Sequence, residues 1–379
     1  MTSQGKEGGQ LPLTIVIGTG RCGSTMLSRI LQMHPQVLSL SEFWNVFLPT
    51  RGQVPAYNVS GEFWDTFLDT EHNFPAHEIS GEEFWQRIAK PNPDNDGLDL
   101  ADMYPIGRGR FDPAVGVPSI YRVMAPLTDD LDALYDGLAR KVPAWPLRSM
   151  AGHCHALFAD LAARFGRTAV VERSGGSAIL MRVLRAEFAA ARFVFLHRDG
   201  PDSALSMSRF PVFRLGTMRA VAEALRSPSG IAMEILPAEL RTADPQDFES
   251  LVSPPFDRAK FMTYPLPLTL FGAIWSTMTR TATSQIREVP RDKWITMRYE
   301  RLVGDTAAEL SRLTDFIGVP ADRKWLDWAS EFVDSARPGR AAVKLHPVAL
   351  AELRAACAAG TRAFDLLESE CLAQAGPPA

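Results

Sequence analysis

The sequence predicts an α/β protein built on a mostly parallel sheet with helices covering both faces. Three observations lead there. Short apolar runs alternate along the chain with longer amphipathic stretches, the pattern of strand–helix–strand units. The runs are almost continuously apolar, as strands buried on both faces must be. The first of them, Leu13-Thr14-Ile15-Val16-Ile17, passes through a glycine-rich turn directly into a helical pattern.

Taken in order, strands are expected at residues 14–17, 37–40, 168–171, 192–197 and 294–298. Helices are expected at 25–33, 153–165, 178–190, 202–208, 270–288 and 305–317. In such sheets ligands bind beyond the carboxyl ends of the strands. The turns after Ile17, Val171 and His197 are therefore expected on one side of the molecule. Residues 45–150 and 209–268 break the alternation, being rich in Pro, Gly and aromatic side chains. They read as insertions on the substrate side of a single domain spanning 11–379. Residues 1–10, polar and glycine-rich, read as a flexible tail with no signal-peptide pattern.

Composition sets mild bounds on function. The chain has 379 residues, 46% of them hydrophobic and 22% charged, with a formal net charge of −4. That balance offers no overall basic surface for nucleic acid. Cys22, Cys154, Cys357 and Cys371 fit no metal-ligand or disulfide spacing, which suits a reducing compartment. No apolar stretch approaches the roughly 20 residues that span a bilayer, so a cytoplasmic protein without a transmembrane segment is expected.

Two stretches carry chemistry. In Gly18-Thr19-Gly20-Arg21-Cys22-Gly23-Ser24-Thr25 the glycines let the backbone curl so that amides and a helix amino terminus point at one anion. Ser24 and Thr25 add hydroxyls, Arg21 adds a fixed cationic fork, and Cys22 reads as a small filler. Ser24 stands where a triphosphate-binding loop needs its lysine. The other stretch, His197-Arg198-Asp199-Gly200-Pro201-Asp202, delivers an arginine from the end of a strand, and Ser206 follows eight residues later on a helix. Arginine and hydroxyl together make a second anion site; pairing of Arg198 with Asp202 is the structural alternative.

Together these stretches resemble the sulfotransferases that use 3′-phosphoadenosine 5′-phosphosulfate (PAPS). Gly18 to Thr25, followed here by His34-Pro35, is similar to that family's 5′-phosphosulfate loop, with Gly20 to Thr25 expected at the donor, and Arg198-Asp199-Gly200 with Ser206 is similar to its 3′-phosphate motif. The resemblance implies a parallel sheet of about five strands, similar to the P-loop nucleotide kinases, PAPS as co-substrate, and no metal. It also accounts for the missing lysine, since the donor has no γ-phosphate. Ser335-Ala336-Arg337-Pro338-Gly339-Arg340 resembles the late loop that closes over the 3′-phosphate, so Arg337 and Arg340 are expected at that phosphate. The Gly-Asp-Trp common after this loop is absent.

Relatives acting on small phenols place a histidine base after the second strand motif, but this chain has Glu172-Arg173-Ser174-Gly175-Gly176 there. In the tyrosylprotein and heparan-type branches the base is a glutamate after the strand that follows the loop helix. Glu42 occupies that place, and by the resemblance it takes the acceptor's proton while Arg21 and Arg173 stabilise charge on the transferring group. Arg173 stands where those relatives have a lysine. Phe43, Trp44 and Phe47, just after Glu42, are expected to wall a small, partly apolar acceptor, metabolite or glycoconjugate, that presents a hydroxyl or, less readily, an amine. Trp275 is a candidate to stack on adenine. His153 and His155 point to different helix faces and read as no metal site. Two other readings stay open, a P-loop small-molecule kinase or phosphotransferase and a non-catalytic nucleotide-binding module. Magnesium dependence marks the first, and binding without turnover the second.

Overall fold

Five parallel strands carry the architecture, in the spatial order β2-β3-β1-β4-β5. They are β1 (Leu13–Ile17), β2 (Val37–Ser41), β3 (Ala169–Arg173), β4 (Arg192–His197) and β5 (Trp294–Arg298). This is the expected mostly parallel sheet. The computed structural model describes residues 11–47, 74–92, 109–112, 116–226, 236–252, 257–333 and 338–373. The tail 1–10, much of the 45–150 stretch and Arg337 lie outside the described residues.

Alternation of side chains builds the core on both faces, because successive strand residues point opposite ways. Ile15, Ile17, Leu38, Leu40, Phe193 and Phe195 enter one cluster with Phe43, Trp44 and Phe158. Val16, Val37, Val171, Val194 and Leu196 enter another, against Leu27, Ile30 and Leu31 of helix α1 (Ser24–Gln32) and against Leu310, Leu313 and Trp325. His34 follows α1 and ties it down: its Nε2 is 3.1 Å from the Pro320 carbonyl, and its ring meets Trp325 edge-on at 4.7 Å.

Element ends follow local caps. Helix α2 runs Met150–Arg164, three residues earlier than the apolar pattern suggests, because the Ser149 hydroxyl accepts the Gly152 N–H. Helix α3 runs Gly200–Met207, with Asp199 accepting the Asp202 N–H and Pro201 in the first turn. The helix expected over 178–190 is a 3-10 turn, Ser177–Leu180, continuing into a short helix, Met181–Glu187. β3 extends two residues past its expected end. Glu172 and Arg173 therefore lie on the strand, in register with Leu40 and Ser41 of β2.

After α3 the chain forms helix α4 (Pro211–Arg226), which packs with Phe248 and Phe261 into a separate apolar cluster. Helix α5 (Leu268–Ile286) then lies against the long helix α6 (Pro347–Ala373). They meet at Gly360, whose N–H donates to Ser276 Oγ at 2.8 Å. A β-carbon at this position would lie 2.7 Å from Ser276 Cα and 3.0 Å from the Trp275 ring. Gly360→Ala is therefore expected to destabilise the protein by about 1–3 kcal/mol through overpacking, read as a lowered melting temperature; unchanged melting would contradict this contact.

Candidate active site

β1 and β4 are neighbours whose following connections leave toward opposite sides of the sheet, which opens a crevice at their carboxyl ends. The glycine-rich loop 18–23 fills it. Gly20 and Gly23 have φ of 78° and 90°, where a β-carbon is strained, and their bare α-carbons admit close neighbours. A β-carbon would fall 2.6 Å from the Phe213 ring at Gly20 and 2.2 Å from the Tyr299 ring at Gly23. No side chain caps the amino end of α1, and its first turn holds no acidic residue. Such an end, over nine residues of helix, favours an anion. Ser24 is buried and Thr25 exposed at that end. Cys22 packs inward with the α1 core, and burial pushes its thiol pKa up.

The two motifs, 185 residues apart, meet directly. Arg21 Nε donates to Ser206 Oγ at 3.0 Å, and its guanidinium lies 4.4 Å over the Phe210 ring. Arg198 donates to the Arg21 carbonyl at 3.3 Å, pairs with Asp202 at 3.1 Å and lies 4.7 Å over the Tyr299 ring. The Asp202 pairing raised by the sequence is thus present, but Asp202 does more. It accepts the N–H groups of Gly339 at 2.9 Å and Ala341 at 2.8 Å, which draws the segment carrying Arg340 to the same edge. Arg340 itself is exposed. Tyr299 is packed between the loop and Arg198.

Glu42 and Arg173 meet at the ends of β2 and β3. Both side chains are buried and form an ion pair through Glu42 Oε1. Glu42 Oε2 accepts the Gly175 N–H at 2.9 Å and the Asn45 amide, and the other Arg173 amino group donates to Ser41 Oγ at 3.3 Å. The Glu42 N–H donates to the Arg173 carbonyl at 2.7 Å. Glu42 has φ of 61° and Arg21 of 56°, and among the described residues no other non-glycine residue has positive φ. Backbone strain of this kind collects at functional sites. The Gly175-Gly176 turn joins the two halves. A β-carbon on Gly175 would be 3.4 Å from Glu42 Oε1, and one on Gly20 would be 3.3 Å from Gly176 N. The carboxylate and the anion loop therefore flank one pair of glycines.

Beneath them lies Glu172, with no exposed surface. Burial raises its pKa to about 8, helped by the Glu42 charge and opposed by the Ser174 hydrogen bond and by Arg173. Sequence reasoning passed over Glu172, Asn45 and Ser174, and it raised Asp202 only as the partner of Arg198, not as the acceptor for Gly339 and Ala341.

The aromatic residues are placed differently from expectation. Phe43, Trp44 and Phe47 point into the core, where Phe43 meets Phe158 at 4.7 Å and Trp44 meets Phe188 at 5.0 Å. They present no face to solvent because the turn at Glu42 directs the following residues inward. Trp275 is completely buried between Gly200 of α3 and Gly360 of α6, so it has no free face to stack on adenine. His153 Nε2 sits 2.9 Å from the Ile79 carbonyl, and its ring stacks on Phe84. Among the described residues no group of three His, Cys, Asp or Glu side chains is arranged to hold a metal. Likewise, no described helix is long and apolar enough to cross a membrane.

No family model matches the chain, and no curated protein matches its sequence. Solved structures similar to it include sulfotransferases. The sulfotransferase domain from the Synechococcus PCC 7002 olefin synthase is 15% identical, with 94% of this chain and 98% of that one covered at a TM-score of 0.44. The sulfotransferase domain from the curacin biosynthetic pathway is 14% identical, covering 92% and 98% at 0.44. A sulfotransferase from Mycobacterium avium is 15% identical, covering 91% and 75% at 0.38.

The Glu172 carboxyl sets a pH dependence. Between its ordinary value of 4.5 and about 8, the unfolded chain releases this proton while the folded chain keeps it. Rising pH therefore costs stability across that window and no further above it. Glu172→Gln removes this slope, so urea melts should show the variant gaining on wild type from pH 5 to 8 and levelling off above. Parallel stability curves would contradict a proton held in the folded state.

Proposed function

We propose that the protein is a sulfotransferase that moves a sulfuryl group from PAPS to a hydroxyl of a small acceptor, with Glu42 as general base. The observation that carries this reading is an adjacency: an uncapped helix end and two arginines on one side of Gly175-Gly176, a buried carboxylate on the other. The fit to a bisphosphorylated donor rests on the chain's own groups. Arg21, the 20–25 amides, Ser24 and Thr25 suit its 5′ end. Arg198, Ser206 and Arg340 suit a second phosphate, and in this reading Arg337 joins them.

The donor supplies an activated sulfuryl group whose leaving group is an adenosine bisphosphate. Glu42 accepts the acceptor's proton as its oxygen bonds to sulfur and the bond from sulfur to the 5′-phosphate oxygen breaks. Three hydrogen bonds occupy most of the roughly four lone-pair positions of the carboxylate. They fix its orientation and leave room for one more donor, the acceptor hydroxyl. Arg173 balances the buried charge of Glu42, and Arg21 faces the negative charge that grows on the leaving oxygen. The lysine of a triphosphate loop is absent, which weighs against a kinase.

Calorimetric titration without magnesium tests the donor. Wild type should bind 3′,5′-adenosine bisphosphate in preference to ATP, and Arg198→Ala should weaken the bisphosphate by about 10- to 100-fold, the worth of a charge-assisted contact. Preference for ATP would overturn the reading. Glu42→Gln should retain bisphosphate affinity yet lower sulfuryl transfer from labelled PAPS by about 100-fold or more. Because it leaves Arg173 with a neutral partner, it should also melt at lower temperature.

A further inference from the structure

The proposed reaction makes no use of Glu172, a buried carboxyl directly beneath Glu42. Its Oε1 accepts the Phe43 N–H at 3.2 Å and the Ser174 hydroxyl at 2.6 Å, and Ser174 Oγ in turn accepts the Trp44 N–H at 3.0 Å. Phe43 and Trp44 open the 3-10 turn Trp44–Val46 that follows Glu42, and no side chain of the turn itself caps it. The amides of Phe43 and Trp44 are thus held by Glu172 on β3 and by Ser174 just after it, 129 and 130 residues away. Glu172 Oε2 is buried and has no hydrogen-bond partner among the described residues.

We infer that Glu172, with Ser174, is a positioning residue for Glu42: by holding the Phe43 and Trp44 amides it fixes the left-handed backbone that aims the Glu42 carboxylate at Arg173 and Gly175. The inference rests on the reading of Glu42 as the base. Left-handed backbone is unfavourable for a non-glycine residue, so it persists only where neighbours over-determine it. The amides on either side of Glu42 supply that constraint. Its own N–H binds the Arg173 carbonyl, and the next two bind Glu172 and Ser174.

Charge explains why an acid serves here as a neutral acceptor. The groups facing Glu172 are the Glu42 carboxylate from the turn, Arg173 and Ser174 from its own strand end, and the Cys154 thiol from α2. A second ionised carboxylate would compete with Glu42 for Arg173. The proton that Glu172 keeps leaves Arg173 to Glu42.

Glu172→Gln keeps an acceptor oxygen without charge, whereas Glu172→Leu removes it. Ser174→Ala removes the Trp44 partner and the hydroxyl bond to Glu172 but leaves the Phe43 acceptor in place, and serves if the Leu variant does not fold. Amide hydrogen exchange of the full chain reads the clamp directly. Glu172→Leu should speed exchange at Phe43 and Trp44 by about 10- to 100-fold, and Ser174→Ala should do so at Trp44 alone, while Glu172→Gln stays within about threefold of wild type. Transfer from labelled PAPS should follow the same order in kcat, with KM for PAPS unchanged in all three. Unaltered exchange in Glu172→Leu would overturn the proposal, as would a Gln variant as impaired as the Leu variant. If wild type transfers no sulfuryl group, the functional reading fails, and the exchange data still decide whether Glu172 holds the turn.

Discussion

The buried ion pair between Glu42 and Arg173 is the interaction on which the site depends. Removing two charges from water costs several kcal/mol each, and their attraction offsets this only with good geometry and satisfied partners. Both conditions hold. The carboxylate also receives the Gly175 amide and Asn45, and the guanidinium also reaches Ser41. The pair forms because β2 and β3 are adjacent in parallel register, with Ser41 opposite Arg173. The sheet thus sets where the charge is, and the left-handed turn at Glu42 sets where it points.

The anion side is organised from the other neighbours of the same edge. β1 delivers the glycine loop, β4 delivers Arg198, and β5 delivers Tyr299, whose ring packs on Gly23. Aromatic side chains lie under both arginines, Phe210 below Arg21 and Tyr299 below Arg198, and restrict where each guanidinium can go. Asp202 couples this edge to the segment before α6 through two backbone amides. Asp202 thus links Arg198 to the segment carrying Arg340.

The sheet and the glycine loop were legible in the sequence because they are local. Apolar runs of five residues and their spacing to glycines carry that information within one segment. The site was legible in its parts but not in its contacts. Arg198 and Asp202 are four residues apart and could be paired on paper, whereas the Asp202 bonds to Gly339 and Ala341 depend on tertiary folding. Glu172 read as a turn residue because the strand's end could not be fixed, and two residues decide whether a carboxyl is solvated or buried. Phe43, Trp44 and Phe47 read as a wall because a sequence does not say which way a chain turns after a left-handed residue. Trp275 is a similar case, claimed by the packing of α3 and α6.

In the proposed function, one strand edge holds a bisphosphorylated donor at the glycine loop with its transferable group facing Glu42. The most direct measurement is a crystal structure of the full chain with 3′,5′-adenosine bisphosphate. The 5′-phosphate should lie on the 20–25 amides and Arg21, the 3′-phosphate on Arg198 and Ser206, with Glu42 still paired with Arg173 across the Gly175-Gly176 turn. A nucleotide bound elsewhere, or a 5′-phosphate on the far side of the loop from Glu42, would contradict it.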